Sequence, residues 1–166
     1  PIIIKDIASK YINQTLNNPI SLKLYPGDRL LLKGPSGSGK STLLLIISGL
    51  IKPDSGLVQL ENKEKSLGKN MISFVPQKSF CLAGSIAFNI ILKDKFTSID
   101  MIRLREVYEV CGLNHDYSFD DLFTKILSEN LSNISGGQLQ RIAISRGIFN
   151  KPKYLFLDEP TSSLPK

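Results

Sequence analysis

Apolar and polar positions along the chain alternate in two rhythms. Residues 2–4 (Ile-Ile-Ile) and 20–24 (Ile-Ser-Leu-Lys-Leu) read as strands, the second with period two. Tyr25-Pro26-Gly27-Asp28 carries the proline and glycine of a type II turn. The pattern therefore predicts a hairpin between 20–24 and the apolar run 29–33. A buried helix is predicted over 42–51, ending near Gly49, followed by a turn at Pro53–Gly56. Leu57–Leu60 and Ile72–Val75 read as further strands, and Pro76 halts the second, leaving Gln77 at its exit.

From Ser85 to about Ser132 the rhythm is helical, without strand signals. Ser98 is the expected cap of a helix that carries Ile99, Ile102, Val107 and Val110 toward a core and stops at Gly112. A second helix is expected from Ser135, because Ser135 and Gln138 fit the S-x-x-Q capping box, and Asn150-Lys151-Pro152 closes it. Tyr154–Leu157 is continuously apolar, the mark of a central parallel strand buried on both faces.

Chemistry enters at Gly34-Pro35-Ser36-Gly37-Ser38-Gly39-Lys40-Ser41-Thr42, of the form G-x-x-x-x-G-K-S between a predicted strand and a predicted helix. Glycines let such a loop turn its N–H groups inward onto phosphate oxygens, and the helix N-terminus adds partial positive charge. Lys40 reaches the outer phosphates and Ser41 offers a hydroxyl to a bridging magnesium ion. A glycine-rich turn with no ligand is the competing reading.

Three other places carry candidate chemistry. The strand 154–157 delivers Asp158 and Glu159 to the C-terminal edge of a sheet, where open α/β sheets bind ligands. Asp158 suits a magnesium shell and Glu159 a water-activating base. Adjacent strand residues point opposite ways, so Glu159 is expected where the strand is already breaking before Pro160. Gly136 and Gly137 at a capped helix start expose N–H groups, a second potential anion site beside the reading of an ordinary helix cap. Asp120-Asp121 reads as a solvated helix start rather than a metal pair, and His115 as a surface residue. Tyr11 alone reads as a core or surface aromatic, and Gln77 alone as a turn residue.

Composition narrows the class. The 166 residues carry a net charge of +6, spread without a basic block, which suits a polyphosphate and does not call for nucleic acid. The longest apolar run, Leu43 to Ile51, is interrupted by Ser48 and Gly49 and falls short of the roughly 20 residues that span a bilayer. Two isolated cysteines, Cys81 and Cys111, support neither a disulfide framework nor a zinc site and read as packing residues in a reducing setting.

GPSGSGKST, then Gln77, then ISGGQ, then YLFLDEPTSSL together resemble the nucleotide-binding domain of ATP-binding cassette (ABC) transporters over essentially the whole chain. The resemblance implies an α/β fold: a P-loop nucleoside triphosphatase core with an antiparallel β subdomain and an inserted helical subdomain. Residues 1–84 and 135–166 would form the core and 85–134 the helical part. ATP and Mg2+ are the implied cofactors, with Gly34, Pro35, Ser36, Gly37, Ser38, Gly39, Lys40, Ser41 and Thr42 around the phosphates. Ser41, Gln77 and Asp158 would serve the metal, Glu159 and Lys40 catalysis, and Tyr11 the adenine. Ser135, Gly136, Gly137 and Gln138 match the signature that meets the ATP of a second nucleotide-binding domain, with Ile134 where leucine is usual.

The implied partners are that second domain, like or unlike, and transmembrane transporter domains at the cytoplasmic face of the membrane. Glu129 matches an exporter-type glutamate, with Leu131 in place of an expected glycine. Pro165 stands where the family has an aspartate, and the switch histidine falls beyond Lys166, so the resemblance reads the chain as incomplete at its C-terminus. A soluble ABC ATPase unlinked to transport and an ATP-binding module without turnover are the alternatives.

Overall fold

A computed structural model describes residues 1–9, 19–60, 71–128 and 132–161. The chain falls into two compact units, Pro1–Ile72 and Ser73–Lys166. The first holds a three-stranded antiparallel sheet of β1 (Ile2–Ala8), β2 (Ile20–Leu24) and β3 (Ser55–Leu60), in the order β2-β1-β3, and the helix α1 (Lys40–Ile47). Central β1 buries Ile2, Ile4 and Ile7, whose spacing of two and then three requires one extra residue. Both ladders slip at that point, between Ile4 and Ile7 toward β2 and between Lys5 and Ala8 toward β3. Asp6 occupies the bulge with φ 48°, and its N–H donates to Ser21 Oγ at 2.8 Å. Gly56 faces the bulge: a Cβ there would lie 2.4 Å from the carbonyl oxygens of Lys5 and Asp6, so only glycine fits.

The predicted hairpin is corrected. Its turn forms, with Gly27 at φ 93° and the Asp28 N–H donating to the Tyr25 carbonyl at 3.1 Å. Yet β2 pairs with β1, residues 29–33 belong to no strand, and Leu30 and Leu31 are exposed. A type II turn has the wrong twist for a tight hairpin, whereas the isoleucine-rich N-terminal strand offers β2 a matching partner.

In the second unit β4 (Ile72–Val75) pairs with β7 (Tyr154–Leu157). Between them lie α2 (Ile86–Ile91), α3 (Ser98–Val110), a 3-10 turn (Leu113–His115), α4 (Asp121–Thr124) and α5 (Gly136–Phe149). Ile86, Ile90, Leu104, Val107, Leu122 and Ile142 form the centre of their shared core. One ladder interrupts the helices against expectation, β5 (Gly84–Ser85) antiparallel to β6 (Ile126–Leu127). Two-residue strands separated by this much chain leave no periodic signal.

Two further expectations change in α3. Its cap is Thr97, not Ser98, because only the Thr97 register puts a carboxylate, Asp100, three residues on to complete the reciprocal box. Its buried face is Asp100, Leu104, Val107 and Tyr108, while Ile99, Ile102 and Val110 are exposed. Ion pairing of Asp100 with Lys93 and donation by Arg103 to the carbonyls of Ile148 and Phe149 fix that rotation. In β7, Tyr154 and Phe156 are buried but Leu155 is 37% exposed, so the strand buries alternate residues rather than both faces.

Candidate functional site

In the first unit the segment Gly34–Thr42 ends as the start of α1. The Ser38 N–H donates to the Pro35 carbonyl at 3.3 Å, and Gly37 and Gly39 take φ of 77° and 89°. At Gly34 a Cβ would meet Ser38 Oγ at 2.9 Å, so a side chain there would turn the Ser38 hydroxyl aside. Gly39 is the N-cap and supplies no side-chain acceptor, so the first-turn N–H groups of α1 have no capping partner. The Lys40 ammonium folds over the loop and donates to the carbonyls of Gly34 at 3.1 Å and Pro35 at 2.9 Å. The far end of α1 is closed by a Schellman motif, Gly49 N–H to Ile46 O at 3.0 Å and Leu50 N–H to Leu45 O at 2.9 Å. Buried Leu43, Ile46 and Ile47 anchor the helix that presents the loop.

In the second unit β4 and β7 end side by side. The ladder runs one residue past β7, with the Asp158 N–H donating to the Val75 carbonyl at 3.0 Å, and Asp158 is buried. Glu159 then leaves the strand with φ 46°, the break its position before Pro160 predicted. Gln77, just past Pro76, donates its amide to Glu159 Oε2 at 2.5 Å. Two residues far apart in sequence, each singled out separately, thus meet at one sheet edge. Ser79 continues from this edge to α5 by donating to the buried Gln140 Oε1 at 2.7 Å.

Ser135 caps α5 as its sequence predicted. Its Oγ accepts from the Gln138 N–H at 3.2 Å, and Gln138 Oε1 accepts from the Ser135 N–H at 3.0 Å. Gly136 and Gly137 fill the first helical positions and neither has a positive φ. Two residues absent from the sequence reading join here. Asp116 accepts from Arg141 Nε at 2.7 Å and from the Gln138 amide at 3.4 Å. Arg141 was open to detection, lying three residues from Gln138 on one helix face; Asp116, on a different element, left no local signal.

The remaining candidates take modest places. Asp121 accepts from the Ser118 N–H at 2.8 Å at the start of α4, a helix-start role that depresses its carboxyl. His115, exposed, ends the 3-10 turn. Cys81 is buried with its thiol donating to the Ser128 carbonyl at 3.4 Å, and Cys111 is half-buried, where burial pushes its thiol up. Among the described residues no group of three His, Cys, Asp or Glu side chains could hold a metal by itself. Tyr11, Glu129, Leu131 and Pro165 lie outside the described residues.

Comparison with known proteins adds family and fold. A family model described as ABC transporter matches residues 17–162. The chain is 36% identical over 174 residues to the sulfate/thiosulfate import ATP-binding protein CysA of Mesostigma viride, covering 98% of this chain and 46% of that protein. It is 35% identical over 168 residues to the lacticin-481/lactococcin-DR transport/processing ATP-binding protein lcnDR3 of Lactococcus lactis subsp. lactis, covering 98% of this chain and 23% of that one. It thus spans less than half the length of either relative. The solved structure of a bacterial Atm1-family ABC exporter with ATP bound matches with a TM-score of 0.80 at 21% identity, over 99% of this chain and 30% of that one. That likeness carries the fold, an α/β domain of the P-loop nucleoside triphosphatase kind.

Proposed function

The chain belongs to the ABC transporter family, and on that premise we propose that it binds ATP with Mg2+ and hydrolyses it to power transport. In this reading it works head to tail with a second nucleotide-binding domain, like or unlike, at the cytoplasmic face of a membrane. Attached or associated transmembrane domains carry the substrate across. No helix among the described residues is long and apolar enough to cross a bilayer.

The observation that carries the reading is the hydrogen bond from Gln77 to Glu159 where β4 and β7 end. It places an amide donor against the carboxylate assigned to water activation, one residue after buried Asp158. The loop Gly34–Thr42 takes the phosphates: backbone N–H groups and the α1 terminus face the negative charge, and Lys40 exchanges its loop carbonyls for phosphate oxygens. A hydroxyl, an amide and a carboxylate, at Ser41, Gln77 and Asp158, are oxygen donors of the kind magnesium takes beside phosphate and water oxygens. Ser41, Gln77 and Asp158 would hold it, and when bound it neutralises charge on the outer phosphates. Glu159 orients the attacking water and accepts its proton. Gly136 and Gly137 offer their N–H groups to the nucleotide of the opposite domain, as Ser135–Gln138 would in the partner. Tyr11 is assigned to the adenine ring.

Turnover of MgATP by the chain and by Glu159→Gln tests the reading. Removing the base should cut turnover by about a hundredfold or more while ATP still binds. Equal turnover in the two proteins would assign the chemistry elsewhere.

A further inference from the structure

The turn at the start of α5 is tied to a carboxylate outside the helix, and the connection is specific in direction. A glutamine amide has two orientations, differing in which end is oxygen. In Gln138 the oxygen faces the Ser135 N–H at 3.0 Å, which leaves Nε2 toward Asp116 Oδ1 at 3.4 Å. The reversed amide would set its oxygen against a carboxylate and its NH2 against an N–H, repelling at both ends. Asp116 Oδ2 is held in turn by Arg141 Nε at 2.7 Å and Nη2 at 2.5 Å.

Asp116 is itself firmly placed. Its N–H and that of Tyr117 both donate to the Leu113 carbonyl at 3.0 Å, and Leu113 is fully buried. Tyr108 Oη donates to the Tyr117 carbonyl at 2.7 Å from the core side. Gly112 turns the chain ahead of Leu113 at φ 68°, where a Cβ would press on the His115 ring at 3.2 Å. An exposed ion pair would contribute little, but the Asp116 and Arg141 side chains are only 14% and 25% exposed and share the carboxylate with Gln138.

We propose that Asp116, paired with Arg141, is a positioning residue for the signature turn, fixing the Gln138 amide and through it the Ser135–Gly137 backbone that meets nucleotide. This rests on the reading of Ser135–Gln138 given above. The carboxylate restricts the capping box to the one amide orientation that keeps the Gly136 and Gly137 N–H groups pointing outward together.

The test compares the unmutated chain with Asp116→Ala, Asp116→Glu and the isosteric Asp116→Asn, which serves if the alanine variant does not fold. Amide hydrogen exchange is read at Ser135, Gln138 and Leu139, and MgATP binding and turnover are measured on the same proteins. Loss of the carboxylate should speed exchange at those three amides by about tenfold while Lys40–Ile47 stays unchanged. It should lower kcat by about tenfold and leave MgATP affinity within about twofold, since the nucleotide is held by the other unit's loop. Asp116→Glu should recover part of both losses. Unchanged exchange in Asp116→Ala and Asp116→Asn, or a glutamate variant no better than alanine, overturns the proposal. So does an affinity loss equal to the loss in kcat. Failure of the unmutated chain to bind MgATP would sink the proposed function instead, and exchange with its glutamate rescue would still decide whether Asp116 positions the turn.

Discussion

Two helices in this molecule begin on glycines, and they use them for opposite reasons. At α1 the glycines are conformational: Gly37 and Gly39 occupy left-handed backbone that side chains resist, and no side chain caps the helix. At α5 the glycines are ordinary helical residues, and the cap is a reciprocal pair of side chains, Ser135 and Gln138. Neither φ there calls for glycine. The lesson is that a glycine whose backbone does not need it is a sign of access. At Gly136 and Gly137 the missing side chains leave N–H groups open to something outside the helix, while at α1 the glycines build the loop itself.

That contrast can be broken by substitution. Gly39→Ala should destabilise the chain by about 1–2 kcal/mol through the positive φ and weaken MgATP binding with it, read by denaturant unfolding and titration. Gly136→Ala should do the reverse to folding, raising stability by about 0.5–1 kcal/mol, yet lower turnover. Equal destabilisation at both sites would erase the distinction. Ser135→Ala should cost about 1 kcal/mol. Its combination with Gln138→Ala should cost less than the sum, because the two form one box.

A second capping box, that of α3, sharpens the comparison through pH. In α3 the box is charged: a hydrogen bond from Lys93, followed by those from Thr97, holds the Asp100 carboxyl down from 3.8 to about 2. A carboxylate depressed in the folded state stabilises fully above its unfolded value and loses that contribution as pH falls through the folded one. Stability should therefore drop between about pH 4 and pH 2, and Asp100→Asn, less stable at neutral pH, should lack that part of the drop. Glu159→Gly relieves the positive φ but gives up the Gln77 hydrogen bond, so stability should change by less than about 1 kcal/mol while turnover is abolished.

The same contrast explains what could be read from the chain alone. Features fixed by neighbours in sequence were legible: the turn at Tyr25–Asp28, the Ser135–Gln138 box, the strands at 72–75 and 154–157, and the break at Glu159. Features fixed by distant partners were not. The rotation of α3 depends on Lys93 and on the end of α5, so its apolar residues Ile99 and Ile102 misdirected the choice of face. The partner of β2 was a matter of which strand was available, and β5–β6 was too short to show. The candidate residues of the loop 34–42, of 135–138 and of 158–159 were read from local motifs, whereas Asp116 meets Gln138 and Arg141 only through space and stayed hidden.

The central claim, that Gly34–Thr42 is a phosphate-binding loop with Lys40 as its cation, is tested most directly by calorimetric titration of MgATP into the unmutated chain and into Lys40→Ala. The loop described here predicts saturable binding by the first protein and affinity lower by on the order of a hundredfold in the second, the loss of a charge-assisted contact to phosphate. Equal affinity in both, or no binding by a chain shown to be folded, would contradict it.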